Sequence, residues 1–260
     1  MFVELREITP EMAKSMLDRN TKNRPISQLQ VKSLAKEITE DRWKINGDTI
    51  RFNGNVLIDG QHRLLAVLKA GKPIKTLVVE GLESDVFQTI DIGKIRSQGD
   101  TLAVEGHSNS KELASMLSYV ERYMTGQCLK KTTYTNAEIL VLCAKYPDAK
   151  DYMANCHHGR GLVPRALLMA CNYLFSKKDP EKAARFIRAL IYGKDISDEN
   201  AVYILRERLM RNALSKSKLT TTYIFALIIK AWNADRQGKR LKVLKFCEDG
   251  VGEESFPIVV

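Results

Sequence analysis

The stretch DTIRFNGNVLIDGQHRLLAVLKAG constrains the fold most strongly, because its hydrophobic period changes from strand-like to helical within a few positions. Asn53-Gly54 lies between two short apolar runs, as in a tight hairpin, so residues 48–59 are predicted to form two antiparallel strands. Gly60 ends the second strand and opens a helix that Gly71 closes. The chain is therefore expected to contain a hairpin that leads directly into a helix.

Signals on both sides extend this segment to a compact α/β unit. Thr9-Pro10 opens an amphipathic helix over residues 8–20, and Ser27 caps a second helix that runs to about Asp41. The apolar runs KTLVVEG and DVFQTIDI predict two more strands. The resulting order is helix, helix, hairpin, helix, strand, strand, in a unit of about 100 residues.

After Gly99 the pattern becomes helical. Six helices are predicted, at 109–124, 136–153, 163–176, 179–192, 198–213 and 219–236. The fold class is therefore α+β, with a first domain over 1–103 and an all-α helical domain over 104–246. The acidic tail over 247–260 is expected to be loosely structured, apart from a possible final strand.

Positive charge is concentrated in the second half of the chain. The net charge is +10, and residues 1–100 carry 16 Lys and Arg against 14 Asp and Glu, whereas residues 101–260 carry 25 against 17. Such a field favours polyanions, nucleic acid above all.

The remaining composition predicts a cytoplasmic protein without metal. The five cysteines form no CxxC pair and lie in apolar helical text, so they are interpreted as reduced core residues. Cys156-His157-His158 has no second Cys/His pair at finger spacing, which disfavours a metal site. The sequence contains no run of about 18 apolar residues, so no membrane helix is predicted, and its start does not resemble a signal peptide.

A basic region near the end of the helical half is a candidate nucleic-acid surface. Clustered Lys and Arg suffice for backbone contact without sequence specificity. The candidate contact residues are Arg206, Arg208, Arg211, Lys239, Arg240 and Lys242. The alternative is a solvated helical face. Tyr223 and Trp232 lie at helical spacing among aliphatic residues, which indicates core positions in preference to base-stacking platforms.

Asp59-Gly60-Gln61-His62-Arg63, here called the DGQHR loop, is a candidate anion site. Backbone N–H groups at a helix start carry partial positive charge, and an arginine adds a bidentate donor for phosphate. The alternative is structural: the glycine only makes the turn, Arg63 pairs with Asp59, and His62 lies on the surface.

Three blocks of sequence carry a family resemblance. NRPISQLQVKSLAKEI, IRFNGNVLIDGQHRLLAVLKAG and VEGLESDVFQTIDIGKIRSQGDTLA together resemble the ParB/sulfiredoxin superfamily, and in particular its DGQHR-type phage and bacterial members. The resemblance implies a small mixed sheet with helices, a nucleotide- or phosphate-binding first domain, and a location in a bacterial cell or a phage-infected host.

The resemblance assigns phosphate contact to the loop position by position. Gly60, His62 and Arg63 match the phosphate-holding loop of sulfiredoxins, but Gln61 stands where those proteins have the reactive cysteine. Sulfinic acid reductase chemistry is therefore not expected, because the thiolate nucleophile is missing. In ParB proteins the corresponding loop binds the triphosphate of CTP.

Further contacts follow from the flanking blocks. Gln30 and Ser33 match a helix that offers polar side chains to nucleotide, with a solvated face as the equal alternative. Arg24 is an additional phosphate donor or a loop anchor. Lys94 and Arg96 occupy the place of the second ParB motif and are expected to face the DGQHR loop.

In that second motif Asp91 is a candidate for water-mediated Mg²⁺ binding, with a surface salt bridge as the alternative. The ParB glutamate and asparagine are absent there, which argues against ParB-style CTP hydrolysis.

These observations predict a ParB-like, DNA-associated protein that binds CTP or ATP with Mg²⁺. One alternative is a phosphotransfer enzyme (an NTPase, kinase or nuclease) with Asp59, Asp91 or Glu37 as metal ligand or base. Another is a phage-encoded interaction protein with a vestigial pocket. The candidate partners are nucleotide, DNA and a second copy of the chain, with no membrane.

Overall fold

The computed structural model of the chain describes residues 1–21, 23, 25–83, 96–156, 161–194, 196–197, 200–248 and 252–260. The chain divides into two compact units, Met1–Lys94 and Ile95–Val260.

The first unit contains four strands and three helices among its described residues. They are β1 (Phe2–Ile8), α1 (Pro10–Leu17), α2 (Gln28–Thr39), β2 (Thr49–Asn53), β3 (Val56–Asp59), α3 (Gln61–Ala70) and β4 (Ile74–Glu80). The strand order is β1-β4-β2-β3. β4 pairs antiparallel with β1 and parallel with β2, and β2 and β3 form the antiparallel hairpin. The predicted α+β class with a small mixed sheet is confirmed.

Two differences from the predicted strands concern the edges of the unit. β1 was not predicted, because it is an edge strand on which Phe2, Val3 and Leu5 are all exposed, so that its sequence carries no clean alternation of buried and exposed residues. The strand predicted over residues 85–92 lies outside the described residues.

The core of the first unit lies between the sheet and the helices. α1 and α2 both pack against α3. Ile50 and Phe52 of β2 and Leu64 of α3 are fully buried in this cluster. Because α3 follows β3 after a single residue, its start is fixed beside the centre of the sheet.

The regular elements of the second unit, among its described residues, are all helices. Its helices are α4 (Gln98–Val104), α5 (Ser110–Met124), α6 (Asn136–Lys145), α7 (Arg165–Ser176), α8 (Pro180–Tyr192), α9 (Ala201–Leu214) and α10 (Thr221–Arg236), with 3₁₀ turns at Ala149–Tyr152 and Ala154–Cys156. The helix predicted over 136–153 ends at Lys145, because Pro147 lies just beyond it.

α4 was not predicted. A capping box of Ser97 and Asp100 starts it, and it packs on α5. Residues 98–103, which the sequence analysis assigned to the first domain, therefore lie in the second unit.

Aromatic stacking organises the core of the second unit. Trp232 is fully buried, as predicted, and lies parallel to Phe175 at 4.5 Å between ring centroids. The ring of Phe186 meets it edge-on at 5.6 Å. The indole N–H donates to the carbonyl of Val260 at 3.2 Å, so the tail is tied to the core. The final strand considered for the tail does not form within residues 252–260.

Within the part of the chain that the structure describes, no helix combines the length and apolar character that crossing a membrane requires. Cys128, Cys156 and Cys171 are buried, whereas Cys143 and Cys247 are half-buried. Burial raises the pKa of the Cys128 thiol from 9.0 to about 11 and that of Cys156 to about 12.

Alkaline pH should therefore destabilise the second unit. Above pH 9 the unfolded chain loses thiol protons that the folded chain retains, so the stability contributed by a neutral buried thiol falls as the pH rises toward 12. For Cys156 the loss at pH 10 is roughly 1 kcal/mol. Urea unfolding of the wild type and Cys156→Ala at pH 7 and pH 10 checks this. The variant should lose less stability, and an equal loss in both proteins would contradict the prediction.

Candidate functional site

The DGQHR loop turns from β3 into α3 at Gly60, which requires glycine for two reasons. Its φ is +102°, a backbone conformation that L side chains rarely adopt. A Cβ atom at this position would also lie 3.0 Å from Cγ1 and 3.1 Å from Cα of Ile50. The turn therefore brings the start of α3 against the backbone of β2.

The two residues after the glycine are buried polar groups that bind the α1–α2 connection. Oε1 of Gln61 accepts from the side-chain amide of Asn20 at 3.1 Å. Nε2 of His62 accepts from the backbone N–H of Ser27 at 2.9 Å. Because a backbone N–H can only donate, Nε2 carries no proton in this arrangement. The alternative that placed His62 on the surface is wrong, since only 5% of the residue is exposed.

Arg63 lies in a network of charges with both acidic neighbours. One of its terminal nitrogens donates to the carbonyl of Thr49 at 2.8 Å and lies 3.5 Å from Oδ2 of Asp59. The other lies 3.4 Å from the carboxylate of Asp48. Arg51 approaches Asp59 as well, at 3.6 Å. Two guanidinium groups and two carboxylates thus compensate one another, and the predicted pairing of Arg63 with Asp59 is present.

The carboxylate of Asp59 faces both the turn and this network. Its Oδ1 accepts from the backbone N–H of Gly60 at 2.7 Å. Its Oδ2 is buried and, among the described residues, has no hydrogen-bond partner and is stabilised by the two guanidinium groups. Removing either charge would leave an undercompensated buried carboxylate.

A small cavity opens beside the loop. Its lining residues are Asn23, Gln30, Leu34, Asp48, Asp59, Gly60, Gln61, His62 and Arg63. Its volume of about 70 Å³ holds roughly two water molecules. The two aspartates in its lining, Asp48 and Asp59, oppose an anion.

The other residues predicted to act near the DGQHR loop fall into three groups. Gln30 lines the cavity, whereas Ser33 and Glu37, also on α2, do not. Glu37 instead forms an ion pair with Arg42 at 3.0 Å. Arg24, Asp91 and Lys94 lie outside the described residues.

Arg96 belongs to the second unit. It is exposed, and its backbone carbonyl accepts from the side-chain amide of Asn136 at 3.1 Å. The prediction that it faces the DGQHR loop stays a prediction.

A second candidate site is a groove on the second unit between α9 and the segment that follows α10. It is called the basic groove here, has a volume of about 410 Å³, and is lined by Tyr203, Ile204, Glu207, Arg208, Arg211, Lys242, Val243, Leu244 and Lys245. The structure thus brings together three of the six predicted nucleic-acid contacts, which are Arg208, Arg211 and Lys242.

The other three predicted contacts do not line the basic groove. Arg206 donates to the carbonyl of Leu190 at the end of α8 and lies against Gly193, so it binds one helix end to another. Lys239 and Arg240 are exposed and lie in the turn after α10.

Positive charge dominates the basic groove. Its four cations face a single carboxylate, Glu207, which lies 3.6 Å from Arg211. Among the described residues, Arg208, Lys242 and Lys245 have no acidic partner. Glu207 and Tyr203 were not predicted as part of this site. They precede Arg211 by four and eight residues, and this spacing, which places all three on one face of a helix, was the signal available in the sequence.

A third cavity, of about 480 Å³, contains a thiol and an imidazole. Sγ of Cys143 lies 3.4 Å from Nε2 of His107, with Glu105 and Lys150 also in the lining. Burial raises the pKa of the Cys143 thiol, against an opposing effect of Lys150. Cys143 also lies in the last turn of α6, where the helix dipole disfavours an anion. The pair is therefore unsuited to act as a thiolate nucleophile.

Comparisons with known proteins add no assignment: no protein-family model, no curated protein and no solved structure matches this chain. The resemblance described above rests on its quoted residues alone.

Gly60→Ala should destabilise the first unit by about 3 kcal/mol, because the new Cβ adds both backbone strain and a clash with β2. Gly71→Ala is the matched control. Gly71 also has positive φ, at +65°, but a Cβ there would meet no atom within 4 Å, so the loss should be about 1 kcal/mol. Urea unfolding measures both, and equal losses would show that contact with Ile50 is unimportant.

Proposed function

We propose that the protein binds the backbone of nucleic acid through the basic groove of its second unit. The observation that carries this proposal is the convergence of four cations on one concave surface that holds a single carboxylate. Cations placed on phosphates release condensed counterions, which favours binding without any base contact.

Both walls of the groove contribute to this attraction. Arg208 and Arg211 project from α9, while Lys242 and Lys245 lie in the segment opposite. Because three of these cations have no acidic partner among the described residues, little internal charge must be displaced when a polyanion binds. The charge excess of residues 101–260 adds a longer-range attraction.

The groove can be tested by removing one cation from each wall. Arg208→Ala/Lys242→Ala should weaken oligonucleotide binding by about tenfold and lower the slope of log K against log salt by about 1.4 to 1.8. Fluorescence anisotropy over a series of salt concentrations measures both quantities.

Lys178→Ala/Arg188→Ala is the matched control for this experiment. It removes the same charge from exposed positions that do not line the groove, and should weaken binding by less than about threefold. Glu207→Gln should strengthen binding, which loss of folding cannot mimic. Equal effects of the two double variants would contradict the groove assignment.

A second candidate function is the binding of one phosphoryl group at the DGQHR loop, as the ParB/sulfiredoxin resemblance implies. It is favoured by the start of α3, which has no side-chain cap and borders the cavity, with Arg63 beside it. A phosphate would have to replace Asp48, whose side chain is 53% exposed, as a partner of Arg63.

CTP or ATP with Mg²⁺ fits the described residues less well. The cavity of about 70 Å³ would enclose only part of a triphosphate, and two carboxylates in its lining oppose the charge of the nucleotide. For phosphotransfer, Asp59 is engaged by two arginines and Glu37 lies away from the cavity lining. The enzyme alternative is therefore ranked below simple phosphate binding.

Asp48→Asn should strengthen the binding of inorganic phosphate, because it removes the carboxylate that competes for Arg63. Arg63→Met should abolish that binding. Isothermal titration with phosphate, and with CTP and ATP in parallel, checks both variants. Phosphate affinity that responds to neither substitution would reject the loop as an anion site.

A further inference from the structure

The basic groove has an apolar and aromatic lining as well as its cations. Tyr203 and Ile204 lie at one end of the α9 wall, and Val243 and Leu244 belong to the opposite segment. Val243 is 69% exposed, and the nearest lysines in the sequence, Lys242 and Lys245, are exposed as well. Contact with phosphates alone does not account for apolar groups at this position.

Tyr203 differs from most other tyrosines of the second unit. Seven of the nine tyrosines in the chain are part of the core or pack against it, namely Tyr119, Tyr123, Tyr134, Tyr146, Tyr152, Tyr173 and Tyr223. Tyr203 is half-buried and is not among them. Among the described residues it makes no ring-to-ring contact and no hydrogen bond through its side chain. Its ring is therefore not part of the described core.

The size of the groove limits the ligand that it can enclose. From Tyr203 to Arg211 the α9 wall extends about 12 Å. The volume of about 410 Å³ lies within the range of pockets for drug-sized ligands. A space of this size can enclose part of a single strand, but it is too small to enclose a duplex.

We infer that the basic groove holds a single-stranded segment of nucleic acid, with its phosphates on the cations of the two walls and a base against Tyr203. This inference rests on the proposed function and deepens it. Proteins that bind single strands combine a cationic track with an aromatic face on which a base stacks, and such stacking tolerates any base. Because the ligand chemistry is shared, DNA and RNA strands are both candidate sources.

The test compares four probes of equal length, about 12 units, on the full chain. They are a thymidine oligonucleotide, the corresponding uridine strand, an abasic strand with the same number of phosphates, and a duplex. Anisotropy should show the thymidine or uridine strand binding about 5- to 20-fold more tightly than the abasic strand and the duplex. An abasic strand or duplex that binds as well as the single strands would overturn the inference.

Substitutions at Tyr203 provide a second test of the single-strand inference. Tyr203→Leu should weaken binding of the single strands by about five- to tenfold and leave the affinity for the abasic strand unchanged, while Tyr203→Phe keeps the affinity for the single strands.

Polyglutamate of similar length tests for an acidic peptide as the true ligand, and equal binding of this probe would reject the inference. If Arg208→Ala/Lys242→Ala weakens binding of no probe, the proposed function itself fails; if it weakens binding but Tyr203→Leu weakens binding of no single strand, only the single-strand inference fails.

Discussion

The first unit depends on one backbone turn, the left-handed junction at Gly60. This turn brings the start of α3 against β2, and the residues around it become the buried centre of a polar network. Gln61 and His62 bind the α1–α2 connection, and Arg63 binds the carbonyl of Thr49. Each of these bonds needs α3 to begin at that place. Since buried polar groups are costly without partners, the network specifies how the connection and the hairpin meet.

The second unit is organised differently, by stacked aromatic rings instead of polar bonds. Trp232, Phe175 and Phe186 join α10, α7 and α8 in one cluster. The cluster also holds the tail, through the bond from Trp232 to the carbonyl of Val260. α9 and the segment after α10 are attached to this core by other residues, among them Leu205 and Leu244, while Arg208 and Lys242 line the groove.

The sequence was most informative where its signals are local. The hairpin and α3 were predicted because Asn53, Gly54 and Gly60 determine their own backbone geometry. β1 was missed because only its last residue, Ile8, is buried, and α4 because it is only seven residues long. The basic groove was predicted only in part. Its walls are separated in sequence by α10, so three cations could be proposed from clustering, but not their arrangement around Tyr203.

The contacts within the DGQHR loop affect how its recurrence in other chains is interpreted. Asp59 holds the N–H of Gly60, and the next three side chains each bind another part of the same unit. Selection for folding alone would therefore preserve this string of residues, with no ligand involved. A shared DGQHR string is evidence of a shared strand-to-helix architecture before it is evidence of a shared activity, and transfer of function between such chains needs support from residues outside the string.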